Sequence, residues 1–194
     1  MRSFSSLSDR ELLALAISLE DDSARIYADY VDGLAEEHPL EAERLARVRA
    51  EEAGQRERLL AIHRECFGAH LPLVRREDVK GFIRHRPVWE RRPLDPAAVR
   101  AQAEVMALEN ERVYAAAATR AKDERIRRVF AALGAEEREH GSEVAAADPA
   151  HVLDERAAAS HRLFLLQVVQ PDENPSFPAW DSLELPDLIQ HLHS

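Results

Sequence analysis

Four stretches of this chain carry an apolar stripe at steps of three and four residues, and each stripe is interrupted near its middle by a glutamate. The first runs Leu13, Ala16, Glu20, Ser23, Tyr27, Tyr30, Leu34; the second Leu45, Val48, Glu52, Gln55, Leu59, Ile62. The third runs Val99, Gln102, Met106, Glu109, Val113, Ala116; the fourth Ile126, Phe130, Leu133, Glu137, His140, Val144, Ala147. Such steps keep each set on one face of a helix. The chain is thereby held to an all-α architecture in which helices pack on helices and each delivers a carboxylate to the core.

The punctuation between the stripes agrees. Ser8 and Glu11 form a capping box that opens the first helix, which runs to about Glu37, where His38-Pro39 breaks it. The second helix is expected from Pro39 to Cys66, stopped by Phe67-Gly68. Residues 69–94 hold three prolines and many arginines and read as a crossover with one short helix near Glu77–Arg84. Asp95-Pro96 is an N-cap followed by proline at the first helical position, opening a helix to about Ala121. A fourth helix follows Lys122-Asp123 and ends near Ala147 before Asp148-Pro149; a shorter fifth is expected from Leu153 to Gln170. The expected organisation is one domain over residues 1–170 and a Pro-rich flexible tail over 171–194. Helices of this length span ~38 Å. Two short connections and one long crossover make two helical hairpins.

Composition narrows the chemistry. Basic residues number 26 against 36 acidic, a net charge of −10, which argues against a nucleic-acid partner and favours small cations. Cys66 is the only cysteine, so no intramolecular disulfide and no thiolate zinc or rubredoxin-type iron site can form. The N-terminal stretch carries an acidic pair where an export signal would be apolar. The run LFLLQVVQ falls well short of the ~20 residues of a membrane span. A cytoplasmic protein is expected.

An isolated ionised carboxylate is costly to bury, and four at one level would repel one another. A pair of divalent ions compensates them by turning carboxylates into ligands. Glu137-Arg-Glu-His140 is a Glu-x-x-His unit, with both side chains on one face. Two such units and two single glutamates form the ligand set of carboxylate-bridged di-iron bundles. The halves echo each other: Glu20 and Glu109 stand 89 positions apart, Glu52 and Glu137 85. The second helix departs from the pattern, with Gln55 where the fourth has His140. Five of the six expected donors are present, and the sixth is a weaker amide.

The stretches ALAISLEDDSARIY, EEAGQ, FGAHLPLVRREDVKGFIRHRPVW, ALENERVY and LGAEEREH resemble the rubrerythrin-like ferritin domain of the erythrin type, as in bacterial membrane-bound ferritins fused to a vacuolar-iron-transporter-like membrane domain. The resemblance covers roughly residues 4–171 and implies a ferritin-like four-helix bundle with a long crossover and an additional C-terminal helix. It implies dinuclear iron held by Glu20, Glu52, Glu109, Glu137 and His140, with Gln55 at a position that is His in the family and Met106 at one that is Glu in rubrerythrins proper. Glu52 and Glu137 would bridge the metals, Glu20 and Glu109 would be terminal. The segment HRLFLLQVVQP resembles the junction with the membrane domain, and the sequence departs from the pattern after Gln170, as a free-standing or truncated relative would.

The activity implied is oxidation of Fe²⁺ by O₂ or H₂O₂ in iron homeostasis or oxidative-stress defence. The alternative is a module that senses or delivers iron without efficient turnover, which Gln55 favours. A homodimer is expected, and the partner would be a membrane iron exporter or an anionic membrane surface, facing the basic crossover residues Arg75, Arg76, Lys80, Arg84, Arg86, Arg91 and Arg92. The bland readings are surface glutamates on an Arg-rich bundle, Tyr27, Tyr114 and Met106 as packing, His63 as a solvated histidine, and Cys66 as a small hydrophobe.

Overall fold

A computed structural model describes residues 2–82 and 93–145. It is a ferritin-like helical bundle. Helix α1 spans Asp9–Leu34, α2 Pro39–Phe67, α3 Pro96–Arg120 and α4 Glu124–Ala145. Helices α1 and α2 pack along each other as one hairpin and α3 and α4 as the other, with α1 also meeting α3.

Each boundary has a local cause. The Ser8 side chain accepts from Glu11 N–H while Glu11 Oε2 accepts from Ser8 N–H at 3.0 Å, so both halves of the capping box form. Helix α1 ends three residues earlier than expected, the chain turning through 35–37 before Pro39 starts α2. Gly68 closes α2 with a φ of 81° that a side chain would resist, its N–H donating to Arg64 O at 3.0 Å. Asp95 caps α3 by accepting from Ala98 N–H at 2.9 Å. The Lys122-Asp123 junction is held from α1, where Asp9 accepts from both backbone N–H groups.

The core forms two apolar clusters. One gathers Leu13, Leu19, Leu59, Val113, Phe130 and Leu133, among others; the second gathers Tyr27, Tyr30, Leu34, Leu45, Val48, Met106 and Val144. Along every helix the stripe glutamate falls between a residue of the first cluster and one of the second. The carboxylates thus form a polar layer sealed by apolar packing above and below.

The crossover contains only a 3₁₀ turn, Arg76–Asp78, among its described residues, in place of the expected helix from Glu77. This turn is pinned by the N-terminal segment: Arg2 N–H donates to Asp78 O at 2.6 Å, Lys80 N–H donates to Arg2 O at 2.9 Å, and Val79 is buried. Arg84, Arg86, Arg91 and Arg92, the end of the fourth helix beyond Ala145, the fifth helix and the tail lie outside the described residues. His63, expected to be solvated, is buried against Phe67, and Cys66, expected as a small hydrophobe, is exposed. Among the described residues no helix is long and apolar enough to cross a membrane.

Candidate metal centre

The four stripe glutamates are core residues. Relative exposure is 0% for Glu20, 1% for Glu52, 2% for Glu109 and 1% for Glu137, which removes the surface-glutamate reading. Glu52 of α2 and Glu137 and His140 of α4 each offer one ligand atom, and these three atoms lie within 4.8 Å of one another. His140 Nδ1 stands 3.3 Å from Glu52 Oε1. Glu20 enters from α1: its carboxyl is hydrogen-bonded to Glu52, and the Tyr114 hydroxyl donates to Glu20 Oε1. Asn110 braces the layer, its amide donating at 3.3 Å to both Glu137 Oε1 and Ser23 Oγ.

A second ring of carboxylates orients these groups, and its members were not singled out from the sequence. His140 Nε2 is 2.7 Å from Glu51 Oε2, leaving Nδ1 aimed inward. Gln55 repeats the arrangement in the other hairpin: Nε2 donates to Glu136 Oε2 at 2.8 Å, while Oε1 is buried with no hydrogen-bond partner. Helices α2 and α4 therefore each lend the glutamate preceding the stripe glutamate to the residue three places after the stripe glutamate of the other. The signal was present as the doublets Glu51-Glu52 and Glu136-Glu137, each followed three residues later by Gln or His. Such an outer carboxylate fixes the orientation of a ligand and raises its basicity.

Residues 11–147 match the family model Rubrerythrin. The chain belongs to the rubrerythrin family. Neither the comparison with curated proteins nor that with solved structures returns a match. The family match takes in α2, α3 and α4 whole, all but the first two residues of α1, and every residue of the centre.

Glu109 is already engaged. Its Oε2 accepts from Arg76 Nη2, and the guanidinium carbon of Arg76 lies 5.4 Å from the Phe82 ring centroid. The structure therefore brings together Glu20, Glu52, Glu137 and His140, while Glu109 and Gln55 are engaged by Arg76 and Glu136.

Electrostatics shows what the layer lacks. Burial, the neighbouring Glu52 and a hydrogen bond to it raise the Glu20 carboxyl well above the ordinary range, against the opposing pull of Tyr114. Burial and Glu137 push Glu52 up to about 8, and burial and Glu20 raise Glu137 well above the ordinary range. The same burial, with these carboxylates nearby, raises the Tyr27 and Tyr114 hydroxyls. Protons are thus retained on carboxylates that burial and like-charged neighbours keep from ionising. Glu20 Oε2, Glu52 Oε2 and His140 Nδ1 are buried without hydrogen-bond partners. Buried polar atoms are rarely left so, and here they converge. Oxygen and imidazole donors of this kind fit a divalent transition metal. The donors of Glu52, Glu137 and His140 fit such an ion together; Gln55 adds an amide oxygen without a hydrogen-bond partner, and Glu109 a carboxylate oxygen already engaged by Arg76.

Proposed function

We propose that this rubrerythrin binds ferrous iron at Glu52, Glu137 and His140, with Glu20, Glu109 and Gln55 serving a second position, and oxidises it with O₂ or H₂O₂. The observation that carries the reading is the sealed layer of converging carboxylates whose oxygens lack partners. Iron in such a layer supplies one-electron chemistry, and carboxylate donors favour the ferric state. Two ferrous ions give up one electron each. With two protons, the electrons reduce O₂ to H₂O₂, or H₂O₂ to two waters.

The chain's own groups would act as follows. Glu51 holds His140 so that Nδ1 faces the layer. Asn110 fixes Glu137 and Tyr114 fixes Glu20. The proton on the Glu20–Glu52 pair leaves as Fe²⁺ binds, since metal ions and protons compete for the same oxygens. The apolar clusters on both sides keep bulk water from the layer.

A second reading, iron sensing or delivery without efficient turnover, is favoured by a specific observation: at the second position the Glu109 carboxylate is already engaged by Arg76, and Gln55 offers only an amide oxygen. Stopped-flow absorbance on aerobic addition of Fe²⁺ to the metal-free protein separates the two. Rapid growth of a ferric band, absent in Glu137→Ala, supports oxidation; binding without that band supports the sensor. Ferrous iron should also raise the melting temperature of the parent but not of Glu137→Ala. A variant stabilised by iron as much as the parent refutes the site.

A further inference from the structure

Arg76 is a basic residue of the crossover, where a solvated guanidinium would be the ordinary outcome. Instead its side chain is 18% exposed and reaches a glutamate whose own side chain is 1% exposed. It is held there from three directions. The 3₁₀ turn carrying it is closed by Asp78 Oδ2, which accepts from Arg75 N–H at 3.0 Å. The same turn is hydrogen-bonded through Asp78 and Lys80 to the backbone of Arg2. Phe82 stacks beneath the guanidinium. The contact with Glu109 is through one nitrogen, and the buried Arg76 Nε has no hydrogen-bond partner. Arg–carboxylate pairs are frequently bidentate; this one is not.

The centre is thereby asymmetric in charge. One side offers Glu52, Glu137 and the imidazole of His140 within 4.8 Å. The donors left for a second ion are Glu20, Glu109, already matched by a fixed cation, and Gln55, which is neutral. A second divalent ion must take Glu109 from a guanidinium that the crossover prevents from moving far.

We propose that Arg76 is a built-in cation that stands in for the second metal ion and sets the order of filling, with one divalent ion bound tightly per chain and the second admitted only against the guanidinium. This inference rests on the metal-binding reading above. Arg76 is a positioning residue in it, acting through Glu109.

The test is an anaerobic titration of the full-length, chelator-stripped protein with Co²⁺, followed by visible absorption and calorimetry, so that no turnover is required. The parent should take one Co²⁺ tightly and a second at least tenfold more weakly. Arg76→Met, which keeps an apolar stem without the charge, and Arg76→Gln should each raise the affinity for the second ion by ~10-fold or more, the scale on which outer partners tune metal sites, and leave the first unchanged. Arg76→Lys, which keeps the charge, should behave as the parent. Two equal Co²⁺ sites in the parent would overturn the inference and leave the metal-binding reading standing, whether or not any variant folds. An unchanged second affinity in both neutral variants, or a Lys variant that behaves like them, would also overturn it. No Co²⁺ bound by parent or variants would overturn the inference and the reading beneath it together.

Discussion

Kept free of metal, this protein should show the reverse of the usual pH dependence of stability. In the native metal-free chain Glu52 keeps its proton up to about 8, against an ordinary value of 4.5. Between those values the native state binds a proton that the unfolded state has lost, so stability must fall as pH rises through the window. At ~1.4 kcal/mol per pH unit, Glu52 alone withdraws on the order of 5 kcal/mol by pH 8. Glu20 and Glu137 are shifted the same way. Total stabilities of ~5–15 kcal/mol are usual for domains, so the metal-free bundle should be close to unfolding at pH 8 and firm at pH 5. The start of α1 does not oppose this trend at the acid end. The hydrogen bond from Arg2, with the capping contacts to Ser8, brings Glu11 down to about 2, so the capping box stays ionised at pH 5.

The assay is urea unfolding followed by far-ultraviolet circular dichroism in chelator at pH 5, 6.5 and 8. Glu52→Gln keeps the shape and removes one titrating group; its stability should fall less steeply by about one proton's worth. Saturating a divalent ion should invert the slope, since the metal gains as protons leave. A metal-free parent that is more stable at pH 8 than at pH 5, or a Glu52→Gln variant with the parent's slope, would refute the reasoning.

Two further substitutions probe the centre and its support. Gln55→His should keep the hydrogen bond to Glu136, now from an imidazole nitrogen as His140 does with Glu51, and raise affinity at the second position by ~10–100-fold; iron titration and oxidation rate measured side by side would show it, and no gain in either would mean that Gln55 does not face the metal. Phe130→Ala removes a fully buried ring that stacks on Tyr114 at 6.2 Å. It should cost ~3–5 kcal/mol in urea unfolding and weaken iron binding through Tyr114 and Glu20; a loss below ~1 kcal/mol would show that the cavity collapses without strain.

The helices and the layer were legible because both are written in periodicity. A glutamate between Val48 and Leu59, or between Leu133 and Val144, at core spacing is expected to face the core, and burial bears that out at every stripe. Helix starts were legible at Ser8 and Asp95 because capping is local chemistry: the acceptor and the N–H it serves lie three residues apart. What could not be read is whatever depends on a partner distant in sequence. Arg76 meets Glu109 across 33 residues, from a segment without periodicity. In sequence it was one of several crossover arginines, and its neighbour Arg75 does pair in the ordinary way, with Glu77 at 3.6 Å. Glu51 and Glu136 were hidden differently. Each sits one place from a stripe glutamate, off the apolar face, where a carboxylate normally means solvent. Their meaning comes only from the antiparallel facing of α2 and α4, which brings Glu51 to His140 and Glu136 to Gln55. Gln55 consequently changes in significance. Read along its own helix it is a missing imidazole; held by Glu136, it is an amide oriented as an imidazole would be, with a buried oxygen in reserve. The asymmetry of the centre then depends less on that one replacement than on the cation opposite it, which is why the Arg76 and Gln55 variants measured together would apportion the effect between charge and ligand.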